Sequence, residues 1–94
     1  MNPRAGAPWG ERPEIDWDGE NVEHLARHRV RPWEVEEMVY EGDYDWWKHP
    51  KWRRGGKYGG RYLLRGRTLG GRRLLVVLDR KGRMRLRPLT GWDD

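Results

Sequence analysis

Arg61-Tyr62-Leu63-Leu64-Arg65-Gly66-Arg67-Thr68-Leu69-Gly70-Gly71-Arg72-Arg73-Leu74-Leu75-Val76-Val77-Leu78-Asp79-Arg80-Lys81-Gly82-Arg83-Met84-Arg85-Leu86-Arg87 runs without a proline and carries glycine at positions 66, 70, 71 and 82. Period two dominates it, which is the signature of strands rather than helices. Arg61, Leu63, Arg65 and Arg67 fall on one side, Tyr62 and Leu64 on the other. Arg83, Arg85 and Arg87 repeat the pattern against Met84 and Leu86, and Leu74 to Leu78 between them is apolar on both sides. The expected strands are Tyr58–Thr68, Arg72–Asp79 and Arg83–Leu89, joined by turns at Leu69-Gly70-Gly71 and Arg80-Lys81-Gly82. Such short Gly-containing connections make antiparallel hairpins. The apolar side should meet other elements, and the arginine side should face solvent or a ligand.

Upstream, Asp43 to Lys48 reads as an aromatic strand, and His49 to Lys57 as a basic loop carrying Pro50 and Gly55-Gly56. Two helices precede it. Asp18 is a good N-cap for the first, which runs to about His28 with Val22, Leu25 and Ala26 on one face. Pro32 suits the first turn of the second, where Glu34, Glu36 and Glu37 favour the dipole, Val35, Met38 and Val39 form the apolar stripe, and Gly42 ends it. Glu14 to Trp17 reads as a short strand. Residues 1–12, rich in Pro, Gly and Ala, are expected to be a disordered tail, leaving residues 13–94 as a single domain. The order is β-α-α-β-β-β-β: an α+β fold with two N-terminal helices packed on one face of a mostly antiparallel, four- to five-stranded sheet.

Charge divides the chain in two. Residues 48–94 hold fifteen Lys/Arg and three Asp/Glu, a net of +12, and residues 1–47 hold five and twelve, a net of −7. One half is therefore expected to meet something acidic. There is no Cys, hence no disulfide or thiolate site. The N-terminus lacks an apolar h-region and no apolar run nears the roughly 18 residues of a membrane span, so a soluble, cytoplasmic protein without membrane association is expected.

These segments together resemble the toxins of the BrnT type. Trp17-Asp18, Asn21 to His28, Val30 and Glu34 to Met38 resemble the family's opening, and Gly60 to Arg67, Gly71 to Val77 and Gly82 to Leu86 resemble its arginine, central and final strands. The resemblance covers about residues 15–89. It implies a RelE-like fold and the toxin of a type II toxin–antitoxin pair. It also implies a metal-independent endoribonuclease, needing no cofactor, that cuts RNA and so inhibits translation. The implied partner is a cognate ribbon-helix-helix (BrnA-like) antitoxin with an acidic contact segment, through which alone operator DNA would be bound. Two positions depart from the family. Arg29 stands where it commonly has glycine, and Pro88 to Asp94 finish with two acids where it runs into basic residues.

Cleavage of RNA to a cyclic phosphate needs a base, a cation for the phosphate and an acid for the leaving oxygen. Arginine suits the cation, because its fork matches phosphate oxygens and stays charged. Arg61, Arg65 and Arg85 are the catalytic candidates, with His49, the one histidine of the basic half, as acid or base. Arg67, Arg87, Lys51, Arg53, Arg54 and Lys57 are expected on phosphates, Trp52 and Tyr62 on bases, and His28 as a further contact. Each has a plainer alternative: a solvated arginine face, a surface histidine, a helix-capping His28, a core aromatic. His24 and His28 are spaced i, i+4, but no carboxylate completes a zinc motif, so no metal is expected. The alternative at the level of function is a non-catalytic RNA- or partner-binding module derived from the same family.

Overall fold

The computed structural model describes residues 1–94. It is α+β. The strands are β1 (Asn2–Pro3), β2 (Glu14–Ile15), β3 (Asp43–Lys48), β4 (Arg61–Arg67), β5 (Arg73–Gly82) and β6 (Arg85–Asp93), and the helices α1 (Gly19–Ala26) and α2 (Pro32–Tyr40). They form one six-stranded sheet in the order β1-β3-β4-β5-β6-β2, antiparallel except where β2 runs parallel to β6. Both helices cover one face of this sheet. The other face has no element over it.

The helices begin as their sequences dictate. The Asp18 carboxylate accepts from the Asn21 amide, and the Asn21 side chain reciprocates on the Asp18 amide, each at 2.9 Å. Pro32 opens α2, and Val35, Met38 and Val39 are buried. On α1 the buried face is Asn21 and Leu25 rather than the expected Val22, Leu25 and Ala26; Val22 is half-buried and Ala26 exposed. A polar residue holds the inside position because its amide donates to the carbonyls of Asp16 (2.9 Å) and Pro88 (3.0 Å), so its burial leaves no bond unmade. Arg29 occupies the turn between the helices with φ +59°, the left-handed conformation that glycine adopts more cheaply.

The expected disordered tail is wrong. Trp9 is fully buried, packed edge-on against Tyr62 (5.1 Å) and Trp46 (5.7 Å), with its Nε1 donating to the Tyr44 hydroxyl at 3.0 Å. Asn2 and Pro3 pair with Trp46 and Asp45, and Arg4 donates to the carbonyls of Gly42 and Tyr40. The Pro/Gly composition concealed one large anchor, which a small core uses in full. The sheet accordingly gains an edge strand beyond the expected count.

Strand boundaries also move. Tyr58 lies in the loop rather than in β4, β5 continues through Arg80 and Lys81 so that the turn falls at Arg83-Met84, and β6 extends through Thr90 to Asp93. Met84, expected on the apolar side, is 53% exposed there. The bulge between Val77 and Leu78 lies beside Pro88, which has no amide proton for a ladder. Gly66 is required on β4, since a Cβ there would stand 2.1 Å from the Asp43 carbonyl oxygen. The inner alternation holds: Tyr62, Leu64, Leu74, Val76, Leu78 and Leu86 are buried beneath the helices.

Replacing Trp9 by Ala should lower unfolding stability by about 3–5 kcal/mol, the usual loss for a large core aromatic. Urea unfolding of the two proteins measures it; a change below about 1 kcal/mol would return the segment to a passive tail.

Candidate nucleic-acid interface

The open face of the sheet carries the arginines, and the register lines them up. Arg61, Asp79 and Arg87 stand in one row across β4, β5 and β6; Arg65, Leu75 and Trp92 form a second; Arg67 and Arg73 a third. Leu63 and Val77 lie half-buried between the first two rows, and with Leu75 make the apolar floor expected of the central strand.

Most of these arginines are paired with acids of the same chain. Asp79 takes Arg61, Asp94 takes Arg65 (3.0 Å), Asp16 takes Arg85 (2.9 Å) and Asp18 takes Arg87 (2.9 Å). How they pair decides what they remain able to do. Arg61 donates from Nε to Asp79 Oδ1 (3.0 Å) and from Nη2 to Oδ2 (3.3 Å), a side-on bidentate contact. Arg87 uses the same edge on Asp18, and Arg65 and Arg85 are likewise held at Nε. A guanidinium has a second edge, Nη1 and Nη2, which these contacts leave for an incoming phosphate. The acids therefore orient the arginines rather than use them up. Arg72 differs: its Nε meets Asp93 and its Nη1 meets both Glu34 oxygens and the Arg29 carbonyl, so it is structural. Hydrogen bonds to Asp79 and Asp16 hold Arg61 and Arg85 still more firmly protonated.

Arg67 and Arg73 on this face make no ion pair, and the largest group of unpaired cations lies beside β3 and β4. The end of β3 and the loop joining it to β4 carry Lys48, Lys51, Arg53, Arg54 and Lys57, with no acid from Lys48 through Gly60, and none of the five makes an ion pair. Its base is built on aromatic rings. His49 stacks on Tyr58 at 4.4 Å and 8°; the Arg61 guanidinium lies 5.2 Å from the same tyrosine ring, and Lys51 and Lys57 5.9 and 5.8 Å from it. The His49 amide donates to the Arg61 carbonyl (3.0 Å), which sets the histidine beside the Arg61–Asp79–Arg87 row. Gly60, at φ +85°, lets the chain pass within hydrogen-bonding distance of Arg80, whose amide donates to its carbonyl at 2.7 Å. Lys81 adds a second cation on Asp79 at 3.7 Å.

His49 Nδ1 accepts the Lys51 amide at 3.1 Å. The proton of the neutral ring therefore resides on Nε2, and His49 presents a donor to the open side of the loop. Lys48 covers the Trp52 ring at 4.2 Å, and Trp52 Nε1 is buried without a hydrogen-bond partner.

The structure thus brings Arg61, His49, Lys51 and Lys57 together and sets Arg87 in the same row as Arg61, beyond Asp79. Arg53, Arg54 and Trp52 belong to the same loop. Arg65 and Arg67 sit toward the far end of β4, about 13–20 Å away along the strand; there they line, with Asp43, Asp45, Arg73 and Asp94, a shallow mixed-charge hollow. Arg85 lies across the β5–β6 turn, opposite Gly82. Tyr62 is corrected: at 5% exposure it packs on Trp9 and Trp46 and cannot meet a ligand. His28 lies 5.9 Å from Trp92 at the β6 side of the sheet, across three strands from the loop's β3 stem. Tyr58 and Asp79 are central yet escaped selection as site residues. Tyr58 suits an acid or stacking role as Tyr62 does, but only Tyr62 stands among the expected site residues, and a lone Asp in an arginine-rich strand carries no sequence signal of its partner. No family model, curated protein or solved structure matches this chain. No helix is long and apolar enough to cross a membrane.

Two outcomes follow from this geometry. Because Asp79 orients Arg61, Asp79→Asn should weaken binding of a single-stranded RNA at low salt by about tenfold, as measured by fluorescence anisotropy. Tighter binding would mean that Asp79 only competes with the ligand. The Asn21 amide, and next the Arg87 guanidinium, hold the Asp18 carboxyl below its ordinary value of 3.8. A depressed folded value adds stability above the unfolded value, which is lost as pH falls through the folded one. Acid unfolding below about pH 4 should therefore be shallower in Asp18→Asn, which keeps a cap but loses the titration. An unchanged acid limb would remove Asp18 from the acid response.

Proposed function

We propose that this chain is a BrnT-like toxin of the RelE-like class: it binds unpaired RNA through the Lys48–Gly60 loop and the Arg61–Arg87 row, and cleaves it without a metal. The observation that carries this reading is the loop itself, five unpaired cations on an aromatic base, ending at an arginine whose phosphate-binding edge is open. Cations track the backbone while rings offer stacking surfaces, a combination suited to single strands. Arg61 would take the phosphoryl oxygens, and His49, once protonated on both nitrogens and released from the Lys51 amide, would give its Nε2 proton to the leaving 5′-oxygen and return to the neutral ring. An antitoxin silencing this site would have to cover a strongly basic loop with an acidic segment. Operator DNA would then be met only through the antitoxin's own ribbon-helix-helix domain.

One observation favours the non-catalytic alternative. A base is needed for the 2′-hydroxyl, and the carboxylate nearest the site, Asp79, is engaged by both Arg61 and Lys81. A site with a phosphate clamp and a donor but no free base binds better than it cuts.

Incubation with cellular RNA in EDTA, read by primer extension, separates the two. Discrete cuts absent from Arg61→Ala identify the ribonuclease; retention of RNA without cuts identifies the binding module. In either case affinity should fall with salt at a log–log slope of about −3 to −4, five phosphate contacts at about 0.7 each. The Lys51→Ala, Arg53→Ala, Arg54→Ala triple variant should flatten that slope by about 2. A slope near zero would refute the loop as the contact.

A further inference from the structure

The connection between α1 and α2 carries a second surface that the RNA reading does not use. Residues 18–31 hold three acids and three bases and sum to zero, but the charges are segregated: Asp18, Glu20 and Glu23 come first, Arg27, Arg29 and Arg31 last. Three of the five cations of the acidic half are gathered in these last five positions. Between the two ends lies an open apolar crevice lined by Val22, Ala26, Val30 and Pro32, with Arg29 and Arg31 at its rim. The burial of Asn21 in place of Val22 and Ala26 left these two apolar side chains on the outer side of α1. Trp33, next to Pro32, is 57% exposed. Arg29 and Arg31 make no ion pair, and the Arg27–Glu23 contact, 3.5 Å between two largely exposed side chains, and the Glu20–Arg87 contact, 4.0 Å, are weak pairs that exchange readily for a better partner.

A surface whose acids lie at one end and bases at the other is complementary to itself turned through 180°. We propose that the crevice is the contact of a two-fold dimer in which α1 of one copy lies antiparallel to α1 of a second. Glu20 and Glu23 of each copy then face Arg27 and Arg31 of the other, and Val22 and Ala26 meet across the axis. The exposed side of α1 offers small residues, Gly19 and Ala26, that permit close approach. An isologous contact of this sort closes on itself and does not propagate. The helix is only about 12 Å long, so the buried area is small and the dimer weak, dissociating in the range of about 10–100 μM. Its position keeps it clear of the cationic loop. Arg72 on the β4–β5 connection donates to the Arg29 carbonyl at 2.7 Å, which places the crevice toward the end of β4 opposite the loop, about 20 Å away.

Sedimentation of the full chain from about 5 to about 500 μM tests it. The expected result is a monomer–dimer equilibrium weakened at least about tenfold between roughly 50 and 500 mM salt. Ala26→Arg, at an exposed position with circular dichroism confirming the fold, should be monomeric throughout. The decisive arm uses two double variants, Glu20→Arg with Glu23→Arg, and Arg27→Glu with Arg31→Glu. Each alone should repel itself and remain monomeric, while an equimolar mixture should associate. A monomeric wild type at the highest concentration and low salt would overturn the proposal. So would a dimer that survives Ala26→Arg, or a mixture that stays monomeric.

Discussion

The open face of this sheet rests on side-on pairing of arginine with aspartate. An arginine is long and flexible, and a row of them on one face would repel and wander. Here a carboxylate grips the Nε edge of Arg61, Arg65, Arg85 and Arg87 in turn. Exposed pairs of this type add little to stability. Their consequence is positional: they lower the rotamer freedom that binding a phosphate would otherwise have to remove. Glu34 with Arg72 is the buried exception, and it ties α2 to the sheet.

That pairing changes what the polarised charge means. A half at +12 and a half at −7 suggested a chain built to meet an acidic ligand. In the folded protein part of the answer is internal, since Asp16 and Asp18 of the acidic half sit on Arg85 and Arg87 of the basic one. The densest unmatched group is the segment from Lys48 to Gly60, where five cations make no ion pair and no acid occurs in the sequence. The loop thus sets an acid-free group of cations at one corner of the sheet, beside the Arg61 row, while Arg67 and Arg73 add unpaired charge at the other end of β4.

Much of the fold was legible because local rules and tertiary packing agree. The Asp18 cap, the Pro32 start, the Val35/Met38/Val39 stripe and the period-two strands all reappear, since each is set by residues within a few positions of one another. The failures were of a different kind. Trp9 sits in a segment whose composition argues for disorder, and only its fit between Tyr62, Trp46 and Tyr44 overrides that. Asn21 displaced Val22 and Ala26 from the inside because carbonyls of Asp16 and Pro88 were waiting for its amide. Arg29 makes a glycine-like turn with its carbonyl held by Arg72.

The amino-acid order by itself determined the two helices, the existence of the strands β2 to β6, the face on which the arginines project and the acid-free basic loop. Periodicity, caps and charge are properties of neighbouring residues, and they need no third dimension. The tertiary structure alone decided which arginines keep an open edge and that Tyr62 belongs to the core. It also brought His49, Tyr58 and Asp79 together beside Arg61. Those outcomes depend on register across strands, where residues 61 and 79, or 18 and 87, become neighbours through hydrogen-bonded pairing that no local pattern encodes.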